Sequence, residues 1–399
     1  MEYKVTQRRL NLVEFLYMGS MIGSSYIAMI LKNSGMDSVT VGSIQSALAC
    51  IGMIAPPIAG MIADKIGSVR KTFTVAFTIT AIFWLIIPIS ASIKIAGIPL
   101  MVFLLFVDAW SRLPVGSLMD SWLMEVQEAE PRIVYAHARK YGSLGYAFFS
   151  LISSLVVAWI APQYIFYFLP ICAIPVLLLC RRIGQTEATA APAAAPKRDE
   201  PKQKLQVGRV FKKYYIMTYF ACAIIVWMPF MCSYTMLPYL ITDMGADNSM
   251  MGIVIGLRAL MEVPAFMLVP IIGRRYSSKV VLPLCFAYYA IEQILCALIG
   301  GVWLLTGLLM ISGMVYAIML SNSISYVHSM APPGLNATVV TMNGAVMNLS
   351  SILGHLLVGA LISGVGIRMC YTIIGAMTAF AAGMMVLFLL FGKKKQIAA

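Results

Sequence analysis

Gly35-Met36-Asp37-Ser38-Val39-Thr40-Val41-Gly42 and Gly245-Ala246-Asp247-Asn248-Ser249-Met250-Met251-Gly252 repeat one another about half a chain length apart. Gly35, Asp37 and Gly42 recur as Gly245, Asp247 and Gly252 at one constant offset, which also brings the basic residues Lys65, Arg70 and Lys71 close to Arg274, Arg275 and Lys279. Each copy joins two apolar runs. A register shared by turn glycines, an acid and a basic loop reads as an internal duplication: two similar halves on one chain.

The flanking runs belong in a membrane. Hydrophobic residues make up 60% of the chain and charged residues only 11%, a balance no ordinary soluble domain has. Twelve runs reach the roughly 20 residues a crossing helix needs: 10–32, 41–63, 71–92, 97–126, 134–160, 163–180, 212–241, 248–272, 279–299, 302–327, 335–363 and 369–391. The first has spanning length and carries Glu14, which argues against a cleavable signal peptide. The expected fold is an all-α membrane protein of twelve transmembrane helices in two pseudo-symmetric six-helix bundles. The bundles cover 1–183 and 208–399, and the Ala-, Pro- and charge-rich stretch 184–207 reads as a disordered cytoplasmic linker. Two related bundles that rock about a central site make the build of a solute transporter.

The net charge of +13 is topological. All but five of the 29 Lys and Arg residues fall in the amino terminus, the loops on one side and the carboxyl tail; Lys32, Lys94 and Arg368 fall on the other side, and Arg112 and Arg258 lie inside spans. That asymmetry places both termini in the cytoplasm of a multi-pass plasma-membrane protein and removes the case for a nucleic-acid partner. The eight cysteines lie in or beside apolar segments without metal spacing, so packed free thiols explain them, and neither a metal nor a cofactor is expected. With His137, His328 and His355 as the only histidines and no nucleophile cluster, an intramembrane enzyme is disfavoured. A sensor would need an output domain, for which the linker is too small.

Gly60-Met61-Ile62-Ala63-Asp64-Lys65-Ile66-Gly67-Ser68-Val69-Arg70-Lys71 resembles the loop signature of the major facilitator superfamily, Gly-x-x-x-Asp-(Arg/Lys)-x-Gly-x-(Arg/Lys)-(Arg/Lys), with the basic pair one residue late. Gly60 is expected to permit close helix contact, Gly67 to turn the loop, and Asp64 to pair with Arg70 or cap a helix. Arg139-Lys140-Tyr141-Gly142-Ser143-Leu144-Gly145-Tyr146, with Asp120 after Pro114, is similar to the start of helix five in the branch holding lactose permease and the phenylpropionate-type permeases. Pro270-Ile271-Ile272-Gly273-Arg274-Arg275 and Ala331-Pro332-Pro333-Gly334-Leu335-Asn336 resemble later loops of that branch. The resemblance implies the major facilitator fold and a gating role for Gly60, Asp64, Gly67, Arg70, Arg274 and Arg275. It further implies a hydroxyl-holding role for Asp120 with Arg139. The branch's proton relay does not carry over: helix nine has Glu292 where an arginine is usual, and the core of helix ten has no ionisable residue except Tyr316 and Tyr326.

Charges inside apolar spans each cost about 2.5–3.5 kcal/mol or more at a helix centre and need a reason. Asp108 and Arg112 stand one turn apart on span four, Arg258 and Glu262 on span eight, and Glu14 and Glu292 on spans one and nine. Self-neutralisation that only fixes packing is the alternative reading of either pair, and the acids outnumber the arginines. Surplus buried acids suit proton coupling, with Glu262, Glu292 or Asp120 as the titrating group, and they suit a cationic solute equally. Arg112, Arg258, Asp108, Asp120, Arg139 and Glu14 are the substrate-binding candidates. Thr341, Asn348 and His355 form one stripe on span eleven, read as helix–helix glue; Trp110 and Tyr234 are the aromatic candidates. The expected function is proton-coupled uptake of a small polar organic solute (sugar, nucleoside or organic anion, the anion slightly ahead) by a monomer in the lipid bilayer. A proton-coupled efflux antiporter and an uncoupled facilitator are the alternatives.

Overall fold

The computed structural model describes residues 2–95, 97–187, 210, 213–332 and 335–396. α1 (Glu2–Ser20), a 3-10 stretch (Met21–Tyr26) and α2 (Ile27–Asn33) form the first span; α3 (Ser38–Ile66) and α4 (Val69–Ser90) follow. A short antiparallel hairpin, β1 (Lys94–Ile95) and β2 (Ile98–Pro99), leads to the fourth span, made of α5 (Leu100–Arg112) and α6 (Val115–Ala129). α7 (Tyr135–Trp159) and α8 (Phe168–Glu187) complete the first six. The seventh span is α9 (Tyr214–Met231) and α10 (Ser233–Asp243), followed by α11 (Met250–Arg275), α12 (Ser278–Leu298), α13 (Val302–Met330) and α14 (Asn336–Gln396).

Eleven of the described helical runs are long and apolar enough to cross a membrane. The last of them, Thr338–Phe391, has 54 residues, about 80 Å of helix against an apolar thickness of about 30 Å. Gly366, at φ +80, breaks it into two crossings, so twelve spans result. Apolar side chains cover their outer faces, among them Ile171 (67% exposed), Met267 (74%) and Leu298 (74%), an arrangement that suits a lipid surround. The first span begins at Tyr3 rather than 10. Positions 184–187 of the expected linker continue α8, and the rest, from 188, lies outside the described residues.

Packing divides the chain into two units: 1–36, 47–198 and 248–259 form one, and 37–46, 199–247 and 260–399 the other.

The repeated octapeptides have one physical meaning. Gly35 (φ +86) and Gly245 (φ +68) end their helices in the same way. Gly35 N–H donates to Lys32 O (3.0 Å) and Met36 N–H to Leu31 O (3.3 Å); Gly245 and Ala246 bond Thr242 O and Ile241 O at 3.0 and 3.1 Å. Each is a Schellman stop that requires a left-handed residue. Asp37 then caps α3, its carboxylate held below the ordinary range by the hydroxyl and amide of Thr40. The closing glycines give close approaches. A Cβ on Gly252 would lie 2.5 Å from Ser150 O on α7, and one on Gly42 2.4 Å from His355 O on α14. Ser150 Oγ donates to Gly252 O (3.0 Å), Ser38 Oγ to Gly359 O (3.0 Å) and Ser46 Oγ to Ile352 O (2.9 Å).

In the first unit α1 lies along α7, so tightly that a Cβ on Gly145 would stand 2.0 Å from Phe15 O. Beside this crossing Phe73 stacks on Phe77 and Trp122 while Tyr17 meets Phe73 and Phe77 edge-on, all at 5.6–6.0 Å, contacts worth about 0.5–1.5 kcal/mol each beyond burial. In the second unit α9 and α12 pack on α14 around Tyr219, Phe286, Tyr326 and Trp227. Arg368, one of the three cations on the wrong side of the charge rule, is a structural clasp there. Its Nε meets Asp243 Oδ2 at 2.6 Å, and Nη1 donates to Ala297 O (3.1 Å) and to Ile299 O. In the α6–α7 loop, Arg132 grips both oxygens of Glu130 at 2.7 Å and holds that carboxyl down at about 2.

Candidate functional site

The first span is not a continuous α-helix. Its 3-10 stretch, Met21-Ile22-Gly23-Ser24-Ser25-Tyr26, has small residues that let it sit on Trp84 and Phe166: a Cβ on Gly23 would be 2.8 Å from the Trp84 ring. Tightened helix inside a span presents polar groups at mid-depth. Ser25 Oγ meets Tyr146 OH at 2.5 Å, Tyr26 OH meets Ser153 Oγ at 2.7 Å, and Ser24 Oγ accepts from Arg112 Nη1 at 3.3 Å.

Arg112 closes the last turn of α5, immediately before the Leu113-Pro114 break. Its Nε donates to Asp108 Oδ2 at 2.7 Å, and Trp84 Nε1 donates to the same oxygen at 3.2 Å. Asp108 is fully buried and Arg112 is 7% exposed; Asp108 Oδ1 has no hydrogen-bond partner. The two charges form a closed pair, with Arg112 tied to the 3-10 stretch as well.

A second polar group lies nearer the amino-terminal end of α1. Tyr135 OH donates to Asp120 Oδ1 (2.9 Å), and Arg139 Nε stands 3.9 Å from the same oxygen. Glu14, 1% exposed, lies in the field of Arg139 and Asp120. Gly142 leaves the notch that lets acid and guanidinium approach: a Cβ there would be 2.7 Å from Glu14 Oε2 and 3.1 Å from Arg139 Nη1. Glu14 Oε2 is buried without a hydrogen-bond partner. Asp120 and Arg139 keep 48% and 39% exposure, so the group joins a half-open polar face to one buried carboxylate.

The resemblance already joined Asp120 to Arg139, and the fold adds Glu14 from the first span to that pair. Arg258 (4% exposed) and the half-buried Glu262 stand one turn apart on α11. Glu292 is buried on α12 beside Gln293, whose Nε2 donates to it at 3.3 Å.

The loop signature departs from expectation in two places. Gly60 has no atom within 4 Å of where a Cβ would stand, so it does not serve a close helix contact. Arg70 does not pair with Asp64: its Nη1 donates to Cys180 O at 3.0 Å. Asp64 instead shares a groove with Glu125 and Glu128. Gly67 turns the loop as expected, at φ +70. Arg274 and Arg275 are exposed in the last turn of α11.

Trp110 points outward, 49% exposed, while Trp84 is buried. His355 bonds its own helix at Ser351 O (2.6 Å), so it is not helix–helix glue. Asn343, which accepts from Tyr219 OH at 3.1 Å, has that role. Ser24, Ser25, Tyr146 and Trp84 were missed. The run Gly23-Ser24-Ser25 inside an apolar span was the available signal.

Residues 7–382 match the MFS_1 like family. Among solved structures, the nucleoside transporter NupG is 16% identical, covers 98% of this chain and 99% of its own, and superposes with a TM-score of 0.75. An auto-inhibited POT family peptide transporter (12% identity, 96% of each chain, TM-score 0.72) and the POT family transporter PepTSo (13%, 99% of each, 0.70) share the architecture. No curated protein matches the chain. At such identities these structures establish the fold, and the match over nearly the whole chain establishes the family. The chain belongs to the MFS_1 like family, membrane transporters of the major facilitator superfamily.

Proposed function

We propose that this transporter carries a small hydroxyl-bearing organic solute, of the size of a nucleoside or a sugar, into the cell by alternating access coupled to proton entry. The observation that carries the reading is the group on α1, α6 and α7: a buried carboxylate, Glu14, facing Arg139, Asp120 and Tyr135. Arg139 offers donors in a fixed fork, Asp120 offers acceptors, and both are partly open, which suits a polyhydroxylated ligand. The closed Asp108–Arg112 pair shifts the preference away from an organic anion, because a neutralised guanidinium holds a carboxylate poorly. The shared fold with the nucleoside transporter NupG supports a nucleoside within the remaining class. Glu292, Glu262 and Asp120 remain the candidate proton carriers, and Arg258 the candidate contact from α11.

The test is uptake by the full chain reconstituted in vesicles, with labelled nucleoside, disaccharide and aromatic acid, with and without an inward proton gradient. Uptake of a hydroxylated solute that rises with the gradient, and that Arg139→Gln and Asp120→Asn abolish while the protein still purifies monodisperse, is the expected result. Transport of the aromatic acid alone would overturn the solute class. Equal uptake without a gradient would establish an uncoupled facilitator, and proton-driven export an antiporter.

A further inference from the structure

A groove of about 500 Å³ runs between α4 and α8 on the outer surface of the first unit. Its upper end is cationic: Arg70 and Lys71 stand in the first turn of α4, and Arg181 near the end of α8. Its lower walls are Val75, Ile79 and Leu177. Thr74 and Thr78 also line it, but their hydroxyls turn back onto Lys71 O (2.9 Å) and Thr74 O (2.7 Å), leaving an apolar slot. Val75 and Ile79 are 59% and 40% exposed. Arg70 is held at the mouth by its bond to Cys180 O, 3.0 Å, so one of the three cations is oriented in advance. Among the described residues no acid lines the groove.

We propose that this groove binds one anionic glycerophospholipid from the leaflet on the basic side of the membrane, its phosphate among Arg70, Lys71 and Arg181 and an acyl chain along Val75, Ile79 and Leu177. A general excess of positive charge on that side does not account for the arrangement. Across the same Gly67 turn, the groove between α3 and α6 collects Asp64, Glu125 and Glu128. Two neighbouring grooves thus carry opposite charge, and the cationic one continues into a slot walled by Val75, Ile79 and Leu177. A charged mouth above an apolar slot, at the boundary where headgroup meets acyl chain, matches an anionic lipid at both ends. A soluble phosphate would use the mouth alone.

The full chain, purified in detergent, is titrated with phosphatidylglycerol and with phosphatidylcholine of the same acyl chains, and bound lipid is counted by native mass spectrometry. Retention of a single phosphatidylglycerol, with phosphatidylcholine retained far less, is expected. Lys71→Gln with Arg181→Gln should weaken it about 25-fold, about fivefold for each charge, and each single variant about fivefold. Val75→Trp, which fills the slot and leaves all three cations, should also release the lipid. Monodispersity and an unchanged melting temperature without lipid establish that the variants fold, and the single variants keep the test readable if the double variant aggregates. Equal retention of both lipids, or phosphatidylglycerol binding unchanged in the charge variants or in Val75→Trp, would overturn the proposal. Competition by glycerol 1-phosphate at the same concentration would overturn it in favour of a free-phosphate site.

Discussion

Asp108→Asn removes a charge and almost nothing else. The amide fills the same volume and its oxygen still accepts from Trp84 Nε1 and Arg112 Nε, which lie 3.2 and 2.7 Å from Asp108 Oδ2. What changes is that Arg112, 7% exposed, becomes an uncompensated buried cation. Breaking a buried pair from one side costs about 3–5 kcal/mol, and the retained hydrogen bonds place this variant near 3 kcal/mol. Arg112→Met strands the acid instead, which can take a proton and keep its Trp84 bond, so a smaller loss of about 1–3 kcal/mol follows. The double variant has no buried charge left and should return to within about 1 kcal/mol of the parent, giving a coupling energy of at least about 3 kcal/mol. Thermal unfolding of the purified protein in detergent reads the order: parent and double variant together, Arg112→Met below, Asp108→Asn lowest. An Asp108→Asn protein as stable as the parent, or a double variant no better than Asp108→Asn, would refute the closed-pair reasoning. Uptake by the double variant then separates roles. Retained transport makes the pair a packing device, and lost transport on a restored fold makes Arg112 a solute contact.

Gly145→Ala places a methyl 2.0 Å from Phe15 O; α1 and α7 must part, and a loss of at least about 1–3 kcal/mol should appear as a lowered melting temperature and poor yield. Gly67→Val forces a β-branched residue to φ +70, costing about 1–3 kcal/mol locally. With Asp64→Asn as its companion, it should slow vesicle uptake while ligand-induced thermal shifts persist, and normal uptake in both variants would remove the loop from the gating cycle. Glu130 is the pH prediction. Its carboxyl titrates about 2 in the fold against an ordinary 4.5, so its contribution is fully present above pH 4.5 and is lost as pH falls through 2. A carbon-13 titration of the Glu130 carboxyl should therefore stay flat from pH 8 to 4, and Arg132→Gln should return the midpoint to the ordinary carboxylate range.

The spans were legible because lipid leaves so few options: apolar length gives the crossings, and the asymmetry of Lys and Arg suggests a side for the loops. The duplicated octapeptide was legible because Gly35 and Gly245 meet the same demand, a left-handed residue that stops a helix. The site was only partly legible. Asp108 with Arg112 follows from spacing on one helix, whereas the meeting of Glu14 with Arg139 depends on how α1 crosses α7, which the Gly142 and Gly145 notches decide. Gly60 misled because a motif position carries no statement of what lies opposite. Arg368 looked like noise in the charge count, and its three partners lie about 70 and 125 positions away, beyond the reach of any local pattern.

The contacts at Gly42 and Gly252 have a consequence for reversibility. Ser38, Ser46 and Ser150 bond carbonyls that sit inside helices and serve their own ladders. When such a contact parts, no main-chain group is left without its bond, and the freed hydroxyls of Ser46 and Ser150 can fall back on the carbonyl one turn earlier in their own helices. A seam fastened in this way separates without exposing an unbonded amide or carbonyl to lipid. It also recloses without a search, since glycine leaves no side chain to reorder. In a membrane, where tearing a backbone bond costs several kcal/mol, a fastening of this kind can part and re-form at little cost to the backbone.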